Sequence, residues 1–226
     1  MKKLKIIDGT TLKIIAMICM LFDHLGDNIF LSQTWMRIIG RIALPLFAFC
    51  ISEGYIHTKD KKRYLKRLFL FSIISEIPFN LLLNGSIIYL EHQNVILTFS
   101  IAVLSLIVFD KITTNKKKIS YVFGTFIVLL FAVISLLLKT DYNLFAVLLV
   151  FIYYVFNSKG NNIRNIIGTV YQLLLRNVGI YIFGALSCIP IFLYNEKKGK
   201  GIKWLFYIFY PGHMLIIYII KILIKG

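Results

Sequence analysis

Apolar runs of membrane-crossing length recur from one end of this sequence to the other, and the charges between them gather in short connections. Of the 26 Lys and Arg residues, 20 fall within 2–13, 59–67, 111–118, 159–164 and 197–203. Hydrocarbon gives backbone N–H and C=O groups no partner but each other, so such a chain folds as membrane helices. Composition agrees: 58% of the 226 residues are hydrophobic and 16% charged, where a soluble domain carries about 45–50% and about 25%. The fold class is all-α, a polytopic bundle with about eight or nine transmembrane helices. Residues 1–226 read as a single domain.

The runs predict spans near 11–31, 36–57, 65–83, 95–110, 119–138 and 142–157, closer segments near 163–175 and 178–195, and a last span near 203–221. Basic connections mark the cytoplasmic side. The N-terminus and the 59–67, 111–118 and 159–164 connections are then inside, and 84–94 and 139–143 outside. The 163–195 region has basic flanks on both sides, so it must leave and return. Yet 163–175 falls short of the roughly 20 residues a crossing takes. A short tilted span, or a re-entrant helix broken at Arg176-Asn177, satisfies both constraints. The first segment has a basic leader like a signal peptide, but it is too long, contains Asp23, His24 and Asp27, and lacks a small-residue cleavage site. It is read as a retained span. The net charge of +16 is thus topological, and nucleic acid is not an expected partner. Cys19, Cys50 and Cys188 lie in apolar segments without ligand spacing, which indicates neither a disulfide framework nor a zinc site.

Ionisable residues inside such spans are costly and usually line a cavity or pathway. Asp23-His24, behind the unbroken apolar run 14–22, is the foremost case. Lys13 precedes His24 by eleven residues, about three turns plus 20°, so the two share a helix face roughly 16 Å apart. Orientation sorts the polar residues into two layers. An outer layer holds Asp23, His24, Arg37, Arg41 and Glu76; an inner, basic layer holds Lys13, His57, Arg63, Lys66 and Arg67. Plainer readings stand beside these. Arg41 and Glu76 form a buried ion pair, Arg37 snorkels to the interface, Glu53 and His57 pair one turn apart, and 59–67 is a topology signal. Pro78 is expected to bend its span. His213 follows Tyr210-Pro211-Gly212 near mid-membrane, where a Pro-Gly break points to a kink or cavity.

An imidazole titrates near neutrality and serves as a general base when a carboxylate orients it. Neighbouring helix residues point about 100° apart, so Asp23, Asp27 and Glu76 all compete for the orienting role. The inner layer suits an anionic cytoplasmic donor, because Lys and Arg bind phosphates. The Lys13–His24 separation is of the order of an extended pantetheine arm.

At these residues the chain resembles the TraX family of integral membrane proteins. The likeness rests on residues 12–26 (LKIIAMICMLFDHLG), Arg37, residues 40–49 (GRIALPLFAF), Glu53-Gly54 and His57-Thr58. It continues through residues 75–79 (SEIPF), Asn94, Thr98, Asp141-Tyr142 and residues 210–213 (YPGH). The resemblance implies acetyl transfer, because the family's namesake is associated with N-terminal acetylation of conjugative pilin. Lys13-x10-His24 is also similar to the Arg/Lys-x10-His signature of a wider transmembrane acyltransferase superfamily, which passes acyl groups from cytoplasmic acyl-CoA to acceptors at or beyond the outer face. That analogy implies His24 as catalytic base; the layering then puts Asp23, Glu76 and Arg41 around it, with Arg41 and Arg37 to hold acceptor charge or the thioester oxyanion. The inner basic layer of Lys13, His57, Arg63, Lys66 and Arg67 is then the acetyl-CoA-binding set, with Arg37, Asn94, Asp141 and His213 on the acceptor side. The acceptor implied is a peptide N-terminus such as pilin's, or a glycan, at the cell membrane, with no metal. The superfamily's Arg-x-x-Arg element is represented by Arg63-x-x-Lys66, and the Gly that often follows Asp-Tyr by Asn143.

Two other classes compete. A proton-coupled transporter or exporter also buries His, Glu and Arg along its pathway. The internal symmetry common in transporters does not show in a chain whose polar residues concentrate before residue 98 and at His213. A scaffold for a secretion or conjugation complex has little reason to bury acid-base groups. Acetyl-CoA binding separates the first reading from both.

Overall fold

The structure is a computed structural model that describes residues 5–176, 178–201 and 203–225. Residues 1–4, 177, 202 and 226, and the side chains of Lys203 and Lys225, lie outside that description, and with them Lys2 and Lys3 of the leader and Asn177 of the expected break. The helices are α1 (Gly9–Asn28), α2 (Thr34–Gly40), α3 (Ala43–His57), α4 (Lys61–Asn84), α5 (Val95–Thr113), α6 (Lys118–Leu137), α7 (Asn143–Val155), α8 (Asn161–Leu175), α9 (Cys188–Phe192) and α10 (Lys203–Lys225). Two 3-10 segments, Phe156–Lys159 and Gly179–Ser187, complete the set. Among the described residues six segments are long and apolar enough to cross a membrane: α1, α2 with α3, α4, α5, α6 and α10. The protein is a multi-pass helical membrane bundle.

Side-chain oxygens start several helices by accepting the backbone N–H groups that a first turn leaves unpaired. Asp8 accepts from Thr11 N at 2.8 Å, Asp60 from Arg63 N at 2.8 Å, and Asn94 from both Ile96 N and Leu97 N. The bundle alternates in direction, so the Lys- and Arg-rich connections collect at one end, the basic end. There an isolated bridge joins Ile7 to Tyr194, while Gln93 pairs with Thr140 at the distal end. Phe49, Ala102, Val103, Leu106, Leu149, Val150 and Tyr153 form a fully buried centre. The exposed surface of α6 is apolar instead, with Val122, Phe126, Leu129, Val133 and Leu137 turned outward, as lipid requires.

The 163–195 region leaves the basic end and comes back as two short passages. Tyr171 of α8 donates its hydroxyl to the Phe145 carbonyl at the start of α7 (3.2 Å), which places α8 antiparallel along α7. The return runs beside it, with Asn165 Nδ2 donating to the Cys188 carbonyl and Asn161 Nδ2 to that of Ile191, both at 2.9 Å. A 3-10 backbone rises about 2 Å per residue against about 1.5 Å for an α-helix. The nine-residue 3-10 segment and five-residue α9 therefore cover roughly 25 Å, near the thickness of a hydrocarbon core. Pro78 and Pro211 lie inside helices that continue through them, so the Pro-Gly pair does not end α10.

Two glycines let α2 close against α1. A Cβ on Gly26 would meet Met36, and one on Gly40 would collide with the Asp23 side chain. Overpacking of a tight contact costs about 1–3 kcal/mol. Gly40→Ala is expected to destabilise the protein by that amount, seen as a lower thermal midpoint in detergent, while Gly201→Ala, which meets nothing within 4 Å, leaves the midpoint unchanged.

Candidate functional site

Helix α1 divides the outer layer between two flanks. Asp23 turns toward α2, where it forms a close ion pair with Arg41 and a second with Arg37 at 3.3 Å. Arg37 also meets Asp27 at 3.0 Å and donates to the Asp23 carbonyl at 3.2 Å. Arg41, its side chain only 5% exposed, further approaches the Tyr142 hydroxyl at 3.5 Å. The expected Arg41–Glu76 pair does not form, because Asp23 takes Arg41 and Glu76 accepts from Asn94. Arg37 likewise holds two carboxylates rather than reaching out alone.

His24, about 100° around the helix from Asp23, turns toward α10. Its ring lies 5.2 Å from the His213 ring, centroid to centroid, tilted by 56°. None of the three carboxylates considered for orienting His24 does so: Asp23 and Asp27 bind arginines and Glu76 binds Asn94. The His213 ring stands beside it instead. Its Nδ1 lies 2.7 Å from the Phe209 carbonyl, a contact that requires Nδ1–H and leaves Nε2 with a lone pair. That Nε2 is buried and has no hydrogen-bond partner among the described residues. The ring is stacked on Phe209 at 4.6 Å and meets Tyr210 edge-on at 5.9 Å, which holds its orientation.

Farther along the distal end, Asn94 is fully buried and its side chain is engaged throughout. It caps α5 and donates to Ser72 O at 2.8 Å and to Glu76. Glu76 Oε1 is buried with no hydrogen-bond partner among the described residues. Asp141 pairs with His92 at 3.6 Å, and its carbonyl accepts from Thr98 Oγ1 at 2.7 Å. The turn that follows has positive φ at Tyr142 (57°) and Asn143 (31°), a conformation that Asn tolerates better than most residues. In this loop, outside the helices, the hydrogen bond with Asp141 raises the His92 imidazole above its usual range, against burial. A histidine so raised stabilises fully below its unfolded pKa, and the contribution is lost as pH rises through the folded value. His92→Gln should therefore lower the thermal midpoint under mildly acidic conditions and match wild type at alkaline pH.

At the basic end the predicted layer is spread over three helices, α1, α3 and α4. Lys13 Nζ lies over the Phe206 ring of α10 at 5.1 Å, so Lys13 and His24 both occupy the α1 face that meets α10. Arg63, Lys66 and Arg67 share an arc of α4; Arg63 and Lys66 are exposed, and Arg67 lies 5.9 Å from the Tyr64 ring. Phe71 stacks on Tyr207 at 4.4 Å, which ties α4 to α10. His57 is mostly exposed, 3.5 Å from Glu53. Glu53's closer partners are Arg164 Nη1 and the Tyr194 hydroxyl, each at 2.7 Å. No group of three or more His, Cys, Asp or Glu side chains is placed to hold a metal among the described residues.

Arg164 reads in the sequence as one basic residue of a cytoplasmic loop. In the structure it is 2% exposed, bonded to Glu53, Asn157 and Asn161 and lying over Phe49 at 4.4 Å. The signal was a polar stripe. Asn161, Arg164, Asn165, Gly168 and Gln172 recur at helical spacing and are all buried, while Ile163, Ile166, Val170, Leu173 and Leu174 face out. In lipid the polar face of an amphipathic helix points inward. Asp110, which joins Lys61, Tyr55 and Tyr154 near the basic end, is a second cluster that sequence reading passed over.

The family model described as TraX protein matches residues 8–221. The chain belongs to the TraX family. Its residues at Asp23-His24, Arg37, Arg41, Asn94 and Tyr210–His213 all fall inside that match. Among curated relatives, this TraX chain is 29% identical over 234 residues to a probable fimbrial assembly protein, FimC, of Dichelobacter nodosus serogroup H1, covering 91% of this chain and 92% of that one. An uncharacterised protein of Rickettsia prowazekii is 38% identical over 78 residues, 34% of this chain and 31% of that protein. No solved structure matches.

Proposed function

We propose that the protein is an acetyltransferase of the cell membrane, moving the acetyl group of cytoplasmic acetyl-CoA to the terminal amine of an exported peptide. A pilin-type N-terminus is the acceptor class that the fimbrial relative favours. One observation carries the reading: Lys13 and His24 lie on the single α1 face that meets α10, with Phe206 beside the first and His213 beside the second. A basic mouth and a pair of imidazoles thus stand roughly 16 Å apart along one helix interface.

In this reading Lys13, His57, Arg63, Lys66 and Arg67 attract the CoA phosphates at the cytoplasmic end, and the pantetheine arm lies along the α1–α10 face toward His24. His24 accepts the proton of the attacking amine as its nitrogen bonds to the thioester carbonyl carbon. Collapse of the tetrahedral adduct breaks the C–S bond, and the sulfur leaves with the proton returned from the imidazolium. The products are the acetylated amine and CoA thiol. His213, its tautomer set by Phe209, supplies the neighbouring lone pair that stabilises the protonated His24. Arg41 and Arg37, held by Asp23, favour the oxyanion with their positive charge. Asp141 stands at the distal end where the acceptor enters, and Glu76 and the buried Asn94 join α4 to α5 there.

The test is transfer of radiolabelled acetyl from acetyl-CoA by purified protein to a pilin N-terminal peptide. Label on the α-amine, and none on a peptide already blocked there, is the expected result. Unmodified peptide after incubation with active, folded protein sinks the proposal.

A further inference from the structure

The loop that leads into α10 turns its backbone to the start of α1. Asn195 N donates to the Ile7 carbonyl and Gly9 N to the Lys197 carbonyl, both at 2.8 Å. Thr10 Oγ1 stands 3.2 Å from the Lys198 carbonyl and 2.6 Å from that of Lys200. Gly199, at a φ of 72°, lets the loop close on Asp8, whose carboxylate a Cβ there would strike. The loop is thus pinned through its carbonyls, while the side chains of Lys197, Lys198 and Lys200 stay exposed. Among the described residues none of these three lysines has a carboxylate within ion-pair distance. The neighbouring acids are engaged elsewhere: Glu196 pairs with Lys5 at 3.1 Å, and Asp8 accepts from Thr11 N and Thr11 Oγ1.

At about 100° per residue, Thr10, Lys13, Met17 and His24 fall within an arc of about 60° on α1. The loop therefore grips α1 at the basic end of the arc that carries Lys13 and His24. It then runs directly into α10, the helix that meets this arc through Phe206 and His213. Thr10 lies one turn outside Lys13, about 4.5 Å, and roughly 21 Å from His24 along the axis. A pantetheine arm fills the Lys13–His24 distance, which puts Lys13 level with the donor's pyrophosphate and the loop one step beyond. The phosphate beyond the pyrophosphate in CoA is the ribose 3′-phosphate, a monoester with close to two negative charges at neutral pH. Lysine ammonium groups bind such a group as point charges. Lys5, Lys13, Lys197, Lys198 and Lys200 outnumber Asp8 and Glu196 at this mouth, and a field of one sign draws in the opposite ion. Topology accounts for a basic loop on the cytoplasmic side. It does not require one pinned to the end of a single helix face.

We propose that Lys198 and Lys200, with Lys197 beside them, bind the ribose 3′-phosphate of the acyl-CoA donor. The assignment rests on acetyl-CoA as that donor, and it adds a subsite on a loop separate from the α4 arc of Arg63, Lys66 and Arg67. The phosphate of an anionic lipid headgroup in the cytoplasmic leaflet shares the chemistry, and the experiment separates the two.

The experiment is equilibrium binding of radiolabelled acetyl-CoA to purified full-length protein in neutral detergent. Unlabelled CoA, 3′-dephospho-CoA and short-chain phosphatidylglycerol serve as competitors. On wild type, 3′-dephospho-CoA should compete about three- to tenfold more weakly than CoA, the scale of two solvated ion pairs. In the double variant Lys198→Gln, Lys200→Gln, CoA should fall to the level of 3′-dephospho-CoA, which itself should compete as it does on wild type. Lys198→Arg with Lys200→Arg keeps the charges and should keep the preference. Lys116→Gln with Lys117→Gln removes two exposed cations from another connection of the basic end and should keep it too. A preference retained by the Lys198→Gln, Lys200→Gln protein overturns the subsite, as does equal weakening of both competitors or loss of the preference in the Lys116→Gln, Lys117→Gln control. Displacement of acetyl-CoA from wild type by phosphatidylglycerol as effectively as by CoA assigns the loop to lipid and also overturns it. Wild type that binds acetyl-CoA without preferring the 3′-phosphate overturns the subsite alone, whereas wild type that binds no acetyl-CoA overturns the donor as well.

Discussion

Purified protein carrying His24→Ala should transfer acetyl groups about 10²–10⁴-fold more slowly than wild type, the usual loss when a positioned acid-base group is removed. Its fold should survive, because the His24 side chain contributes a ring contact with His213 and no ion pair. Thermal midpoints of wild type and variant should therefore stay close while turnover collapses. His213→Ala should reduce turnover too, and His213→Asn should leave it equally low, because an amide restores a hydrogen bond but not a titratable base. Full turnover in His24→Ala would remove acid-base catalysis by this histidine from the mechanism. Acetyl-CoA binding in the same variant should remain near wild type, since the basic residues lie at the far end of α1.

The second large effect is on stability, at the buried pair between Arg164 and Glu53. Arg164→Met should destabilise the protein by about 3–5 kcal/mol, the cost of leaving a buried charge without its partner. Glu53 would retain only the Tyr194 hydroxyl and His57. Adding Glu53→Gln to that variant should recover part of the loss, because the stranded carboxylate is then gone. A double-mutant cycle on the midpoints reads this directly: strong non-additivity is expected, and simple addition of the two single effects would show that the pair does not act as a unit. The same cycle separates stability from chemistry, since neither residue lies on the α1–α10 face.

Much of the candidate site was legible because lipid penalises ionisable groups so heavily. Asp23, His24, Arg41, Glu76 and His213 stood out as anomalies in apolar helices, and helical rise gave the Lys13–His24 spacing without any coordinates. Partner assignments were a different matter. Asp23 and His24 are neighbours in the chain, yet one meets α2 and the other α10. His24 was expected to have a carboxylate beside it and has a second histidine instead. Arg164 was hidden among topological charges because counting by loop ignores the polar stripe at helical spacing that turns it inward.

By itself, the sequence determined the class of fold, the basic end and the two polar layers. Each follows from chemistry that acts residue by residue: a bilayer requires satisfied backbone, keeps basic loops on one side and makes buried charge expensive. Only the tertiary structure decided which charge meets which, how residues 163–195 return across the membrane, and that the loop before α10 closes on the start of α1. Helical periodicity states which side chains share a face. It does not state which other helix that face will meet, because that depends on close approaches such as Gly40 against Asp23, made between segments far apart in the chain.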